Sequence, residues 1–331
     1  MSSTSSDIPA PSPPLPRKWR DRALLGGLLA LLGAGLIGLV SATGWRETLA
    51  QISRLHLWQI AGLLGLSLAN YLLRSLRWHV LARRLGLPTT LIQNTRHFLG
   101  GFAMSVTPGR VGELVRMRWL KRETGWAVER TAPLVLMDRA GDLAVMALIL
   151  GLSVSLAAGG IAGALPVTLL AFGAAIIVTR PRLLAALITY SYRASGRAAR
   201  IFARARGAAR SLKRFTHGPT LIIALGFGLI GWLAEGYAFH LLLGWMGADI
   251  GLWKAVAIFV FSTLAGGLTG APGGLGGAEA AMVALLSLDG VPLEVSVPAT
   301  AIIRLTTLWF AIAIGLAVFP LAERASQKGR I

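Results

Sequence analysis

The chain has 331 residues, 54% of them hydrophobic and 14% charged, with 33 Lys and Arg against 14 Asp and Glu and a formal net charge of +19. A soluble domain is roughly 25% charged, and several apolar runs here approach or exceed the roughly 18 residues that cross a hydrocarbon core, so an ordinary soluble globule is excluded. With no cysteine, disulfides, thiolate zinc sites and thiol nucleophiles are excluded as well.

Residues 1–22 begin with a Ser- and Pro-rich stretch that predicts disorder and continue with Arg17, Lys18, Arg20 and Arg22. An apolar run from Ala23 to Thr43 follows. It is longer than the roughly 7–15 residues of a signal-peptide core, so it reads as a retained first span. A second span covers Leu57–Val80, with Arg74, Arg77, Arg83 and Arg84 in or after its end. Residues 96–120 then carry a short apolar arm, Pro108-Gly109, and an arm with Arg110, Glu113, Arg116 and Arg118. Proline and glycine break helices, so this segment reads as a re-entrant hairpin rather than a span. An interfacial helix pair is the alternative.

A third span covers Thr131–Ala157 and a fourth Leu165–Thr179, separated by a stretch without charge. Residues 180–214 hold ten Lys or Arg and no acid. Within them Arg193, Arg197, Arg200 and Arg204 are spaced as one helix face, which suits either a helix on an anionic surface or a plain basic loop. A fifth span runs Thr220–Trp245, and residues 254–289 form a second hairpin broken by GAPGGLGG at Gly270–Gly277. The last span covers Val297–Leu321, and 322–331 is a basic tail. Trp19, Trp45, Trp58, Trp78 and Trp253 read as anchors at the membrane interface.

Loops rich in Lys and Arg stay in the cytoplasm. This puts both termini and the 180–214 segment inside and the region of Asp249, Asp289 and Glu294 outside. The expected protein is an all-α, multi-pass membrane protein of about six spans and two hairpins in a bacterial inner membrane. Its basic surfaces face anionic lipid, and nucleic acid is not an expected partner.

The layout divides into 23–157 and 158–321. Each part reads span, span, hairpin, span, and the two start on opposite sides of the membrane, as in an inverted-topology repeat. Pro108-Gly109 with Gly112 matches Pro272-Gly273 with Gly276 at the same offset. Glu113 and Glu279 follow. Arg139 lies 31 residues after Pro108 and Arg304 lies 32 after Pro272; Asn70 precedes the first proline by 38 and Glu235 the second by 37.

These residues carry a family resemblance. The pieces are Asn70, Arg74, Arg77 and Trp78; TPGRVGE at Thr107–Glu113; Asp138-Arg139 with Asp142; PGGLGGAE at Pro272–Glu279; and Arg304. Across roughly residues 20–322 the chain resembles the flippase-like integral-membrane family that includes the transmembrane region of lysylphosphatidylglycerol synthases. The resemblance implies a lipid-handling membrane domain that moves a phospholipid or glycolipid between leaflets. The resemblance also implies a link to hopanoid and glycolipid pathways, which makes lipid-biosynthesis enzymes expected partners. The chain ends soon after the last span, so synthase activity is not expected to carry over.

Ionisable groups within spans are costly and are normally paired or functional. Asp138 and Asp142 share a helix face at i,i+4, and Arg139 lies one residue off it, in reach of Glu113 or of a lipid phosphate. Arg139 and Arg304 are expected to hold an anionic headgroup through bidentate contacts. Asn70, Arg74, Arg110, Asp138 and Asp142 line the same region, and Glu113, Glu235 and Glu279 would balance charge or carry a coupling proton. The alternative is that these charges form salt bridges that pin helices together. There is no GxxxxGK[ST] segment and no catalytic motif, and His56, His79, His97, His217 and His240 lack metal-ligand spacing. The expectation is therefore a transporter without a cofactor rather than an enzyme. A membrane enzyme acting on a lipid or polyprenyl substrate, and a scaffold of a lipid or hopanoid pathway, are the competing readings.

Overall fold

The computed structural model describes residues 45–105, 107, 111–157, 165–166, 169–170, 172–173, 176, 180–195, 215 and 217–328. The expected first span at 23–43, the hairpin-tip residues Pro108, Gly109 and Arg110, the uncharged turn, most of the fourth span and residues 196–214 of the basic segment lie outside this set. The described residues are helical, with no strand among them.

Helix α1 (Trp45–Arg54) leads to α2 (Leu57–Leu85). The first hairpin consists of α3 (Leu91–Gly100), a 3-10 turn (Gly101–Met104) and α4 (Val111–Thr124), and α5 (Val128–Leu156) follows. After α6 (Pro181–Ser195) and α7 (Gly218–Trp245), the second hairpin consists of α8 (Leu252–Leu268), a short turn (Pro272–Gly274) and α9 (Gly277–Leu288). The last element is α10 (Leu293–Arg304), a π-turn (Leu305–Trp309) and α11 (Phe310–Lys328).

Local chemistry explains the ends of these helices. Thr90 and Gln93 form a reciprocal capping box at the start of α3: Thr90 Oγ1 accepts from the Gln93 amide at 3.2 Å, and Gln93 Oε1 accepts from the Thr90 amide at 2.8 Å. Gly86 closes α2 in the left-handed conformation. In the second hairpin Gly273, Gly274 and Gly276 have φ of 63°, 70° and 80°, a backbone that side-chain-bearing residues rarely adopt. This is the physical reason for the GGLG sequence there. The glycine-rich segment reverses the chain so that α8 and α9 pack side by side.

Among the described residues two helices, Gly218–Trp245 and the Leu293–Lys328 unit, are long and apolar enough to cross a membrane. Helices α2 and α5 have 29 residues each, about 43 Å at the α-helical rise. They match in length, but they carry the charges of the candidate site. The α2–α7 pair makes the most extensive helix contact, α3 packs on α11, and α8 packs on α5. The hairpin helix of each part of the chain thus lies against the closing helix of the other.

Close approach requires small residues. A Cβ at Gly315 of α11 would lie 2.2 Å from the Ala103 amide nitrogen, and one at Gly112 would lie 2.4 Å from the Gly101 carbonyl oxygen. Trp78, expected at the interface, is fully buried instead. It packs with Phe98, Leu81 and Leu85 in a core formed by α2, α3, α4 and α5. The reason is its position on the α2 face that α3 covers. Trp58 is exposed and meets Trp245 edge-on at 5.4 Å.

Polar stitching fixes α4 at its C-terminal end. Glu323 of α11 accepts from Arg118 at 2.5 Å, Trp119 Nε1 at 2.8 Å and Arg122 at 2.5 Å. Glu123 of α4 accepts from Arg96 at 2.9 Å and lies 3.2 Å from His97 Nε2. Partial burial raises the Glu123 carboxyl, but His97 and Arg96 outweigh it and hold the group below the ordinary glutamate range.

Two outcomes follow for solubilised protein. Gly315→Leu should cost about 1–3 kcal/mol by overpacking, or block folding outright, read as a lowered thermal midpoint. A carboxyl depressed in the folded state stabilises above its unfolded pKa and loses that contribution as pH falls through the folded pKa. The wild-type midpoint should therefore fall more steeply than that of Glu123→Gln as pH drops from neutrality into the acid range. Parallel curves would remove Glu123 as the source.

Candidate functional site

The site lies near the middle of α2 and α5, where a buried ion-pair network joins them. Arg74 and Arg77, three residues apart on α2, face the same side. Arg77 is essentially inaccessible. Its Nε donates to Asp138 Oδ1 at 2.9 Å, and its Nη2 donates to Asp138 Oδ1 at 2.5 Å and Asp142 Oδ1 at 2.8 Å. Arg74 Nη2 donates to Asp142 Oδ2 at 2.9 Å. The i,i+4 spacing of Asp138 and Asp142 lets one guanidinium bridge both carboxylates.

Asp142 is the hub. Besides Arg74 and Arg77 it accepts from Trp232 Nε1 of α7 at 3.0 Å and from Arg139 Nη1 at 3.3 Å. Its oxygens are saturated with donors from α2, α5 and α7, so its direct effect is to join three helices. Arg74 also stacks toward Trp232, with Cζ 4.9 Å from a ring centroid.

Arg139 is different. Its Nε lies 2.8 Å from Glu113 Oε1, joining α5 to the first hairpin. The side chains of Arg139 and Glu113 are 29% and 20% exposed, against 1% for Arg77 and Asp138. They are the accessible edge of the network.

A second pair has the same composition. Arg304 at the end of α10 donates from Nε to Glu279 Oε1 at 2.5 Å and from Nη2 to the Gly273 carbonyl at 2.8 Å. Glu279 stands in the first turn of α9, so this arginine ties the closing helix to the second hairpin turn. The π-turn follows directly, and the Tyr71 hydroxyl of α2 donates to the Thr307 carbonyl within it. A π-turn interrupts ordinary helical bonding and is common at functional positions.

Asn70 and Glu235 are both buried. Asn70 has room beside α7 because residue 231 is glycine: a Cβ there would lie 2.6 Å from Asn70 Oδ1. Glu235 lies three residues beyond Trp232 on α7. Among the described residues it has no ion-pair partner, although Glu113, Glu279, Asp138 and Asp142 all have one.

The structure therefore brings together Arg74, Glu113, Asp138, Arg139 and Asp142 in one network and Glu279 with Arg304 in another. Gly112, Gly273 and Gly276 occupy the close approach and the turn described above. Arg110, Pro108 and Gly109 lie outside the described residues. Arg77, Trp232, Tyr71 and Arg116 were not among the expected site residues. Arg77 had a signal, its i,i+3 spacing from Arg74; Trp232 had none. No three His or acidic side chains among the described residues come together in a way that could hold a metal ion.

Removing one member of a buried ion network strands the others and costs about 3–5 kcal/mol. Arg77→Met should therefore abolish or severely lower the thermal midpoint of purified protein. Glu113→Gln, at the accessible edge, should lower it far less. Equal losses would contradict the division between a buried hub and an open edge.

Comparison with known proteins places this geometry in context. The family model for the lysylphosphatidylglycerol synthase transmembrane region matches residues 24–315. Among curated proteins, a UPF0104 membrane protein of Methanothermobacter thermautotrophicus is 32% identical over 100 residues, which is 30% of this chain and 30% of that protein. A second match to a UPF0104 membrane protein of the same organism is 28% identical over 109 residues, 33% of this chain and 32% of that protein. Each match spans about a third of the relative's length.

Proposed function

The chain belongs to the family of the lysylphosphatidylglycerol synthase transmembrane region, and from this premise we propose that it binds and moves an anionic or glycosylated lipid between the leaflets of a bacterial inner membrane. In this reading both termini are cytoplasmic, the protein is a transporter rather than an enzyme, and its halves form an inverted-topology repeat.

One observation carries the reading: the same glutamate–arginine pair occurs at both hairpins. Glu113 with Arg139 and Glu279 with Arg304 are 26 and 25 residues apart, and each joins a hairpin arm to the helix after it. Helix order agrees with duplication, since a long helix, a hairpin and a closing helix occur twice. The crossed packing of α3 on α11 and α8 on α5 supports it further. Two equivalent sites facing opposite leaflets is what alternating access to a lipid headgroup requires. Arg139 meets Glu113 and Asp142 through Nε and Nη1, but a guanidinium carries five N–H donors and this side chain keeps 29% exposure, so capacity for a phosphate oxygen remains.

The carboxylates in the network also favour transport over metal-assisted chemistry. Donors occupy both oxygens of Asp142 and Oδ1 of Asp138, which leaves only the buried Oδ2 of Asp138 without a hydrogen bond, too little to hold a cation. With no nucleotide-binding motif in the sequence, movement would be downhill or ion-coupled, and Glu235, a buried acid without an ion pair among the described residues, is the group placed to exchange a proton.

The test is a scrambling assay in proteoliposomes containing a trace of nitrobenzoxadiazole-labelled phosphatidylglycerol, with dithionite added outside. Wild-type protein should expose inner-leaflet probe at least about tenfold faster than protein-free vesicles, a barrier difference of about 1.4 kcal/mol. Arg139→Gln and Arg304→Gln should each remove most of that acceleration while remaining folded. Wild-type rates equal to those of empty vesicles would sink the proposal for this lipid class.

A further inference from the structure

Among the described residues, five buried or largely buried arginines occupy the central region. Four have a carboxylate oxygen within 3.3 Å: Arg74, Arg77, Arg139 and Arg304. The fifth, Arg116 of α4, is 3% exposed and, among the described residues, has no ion pair and no hydrogen-bond partner for its Nε and Nη1. Its nearest charges are mixed in sign, Arg139 and Arg74 against Asp138 and Glu113.

Arg116 sits in an aromatic box. Its Cζ lies 4.2 Å from the Phe98 ring centroid, 5.5 Å from Trp78 and 5.7 Å from Phe102. Ring faces stabilise the guanidinium through its π-faces. They cannot accept the N–H groups that point outward in its plane, and those groups seek an oxygen. The box is also built to admit this side chain. A Cβ at Gly101 would lie 2.3 Å from Arg116 Nε, so only glycine leaves the space. Arg116 stands one turn after Glu113 on the same helix, beside the accessible Arg139–Glu113 edge.

We propose that Arg116 is an anion-binding residue whose in-plane donors take a phosphate oxygen of the ligand headgroup. The proposal rests on the lipid-binding reading and deepens it. Arg139 at the open edge meets the headgroup, and the boxed Arg116 fixes one oxyanion in a dry, rigid setting. The aromatic faces hold the guanidinium in place, so the selected chemistry is a phosphodiester or phosphomonoester oxygen met by the fork of donors.

The experiment titrates the purified full-length chain in detergent by calorimetry with dihexanoyl phosphatidylglycerol, with dihexanoylglycerol, which lacks the phosphate, and with inorganic phosphate. Wild type should prefer the phospholipid over the diacylglycerol at least tenfold. Arg116→Gln should erase that preference, and Arg116→Lys should restore part of it. Gly101→Ala, which displaces the guanidinium without deleting it, should behave like Arg116→Gln and serves where the latter does not fold. If inorganic phosphate competes with the lipid in wild type but not in Arg116→Gln, the oxyanion alone is recognised. If it does not compete while the variants still lose their preference, the site takes the phosphate only as part of a lipid. An unchanged preference in folded Arg116→Gln or Gly101→Ala would overturn the assignment and leave Arg116 a structural cation, with the lipid-binding reading intact. Equal wild-type affinity for the two lipids would overturn both this assignment and the anionic-lipid reading.

Discussion

The structure depends on how a guanidinium survives burial between two long helices. Arg77 has no access to solvent, so its charge is tolerable only because Asp138 and Asp142 meet it in a fixed geometry. That requirement sets the register of α2 against α5. It also sets the rotation of both helices, since Arg74 must reach Oδ2 of Asp142 while Trp232 reaches Oδ1 from α7. Hydrophobic packing alone is non-directional. The ion network supplies direction; Glu113 with Arg139 attaches the first hairpin to that frame, and Glu279 with Arg304 ties the second hairpin to α10.

The same frame separates rigidity from reactivity. Groups at the centre, the fully occupied oxygens of Asp142 above all, hold helices together; groups at the edge are paired but remain partly exposed. Asp142, with four donors, belongs to the first kind, and Arg139, partly exposed, to the second. A membrane protein that handles a charged headgroup needs both: a headgroup brought away from water gives up its hydration and must find prepared partners.

Much of the fold was legible in the sequence because its signals are local. The Gly218–Trp245 helix follows from uninterrupted apolar length, and the GGLG turn from the backbone only glycine adopts. The Glu113–Arg139 contact was also anticipated, from the position of an acid after one hairpin and a base in the next span. What could not be read was three-dimensional. The bonds from Arg77 to Asp138 and Asp142 cross 61 and 65 residues, and nothing in the spacing selects them over other acids. Trp78 misled because a tryptophan near the end of an apolar stretch fits the interfacial pattern, and only the α3 cover shows that it is enclosed.

The π-turn between Arg304 and Phe310 has a consequence for the last helix as a whole. An extra residue per turn rotates everything beyond it by about 100° relative to a continuous α-helix. The residues before the turn therefore address α9 and the second hairpin, and those after it address α3 and the first. What counts as one transmembrane segment by length is two half-helices facing different neighbours. The seam between them is where Tyr71 reaches in from α2 to claim a carbonyl. A hydropathy stripe drawn along this helix would drift off its own face midway, because the helix serves one half of the molecule up to Arg304 and the other half from there on.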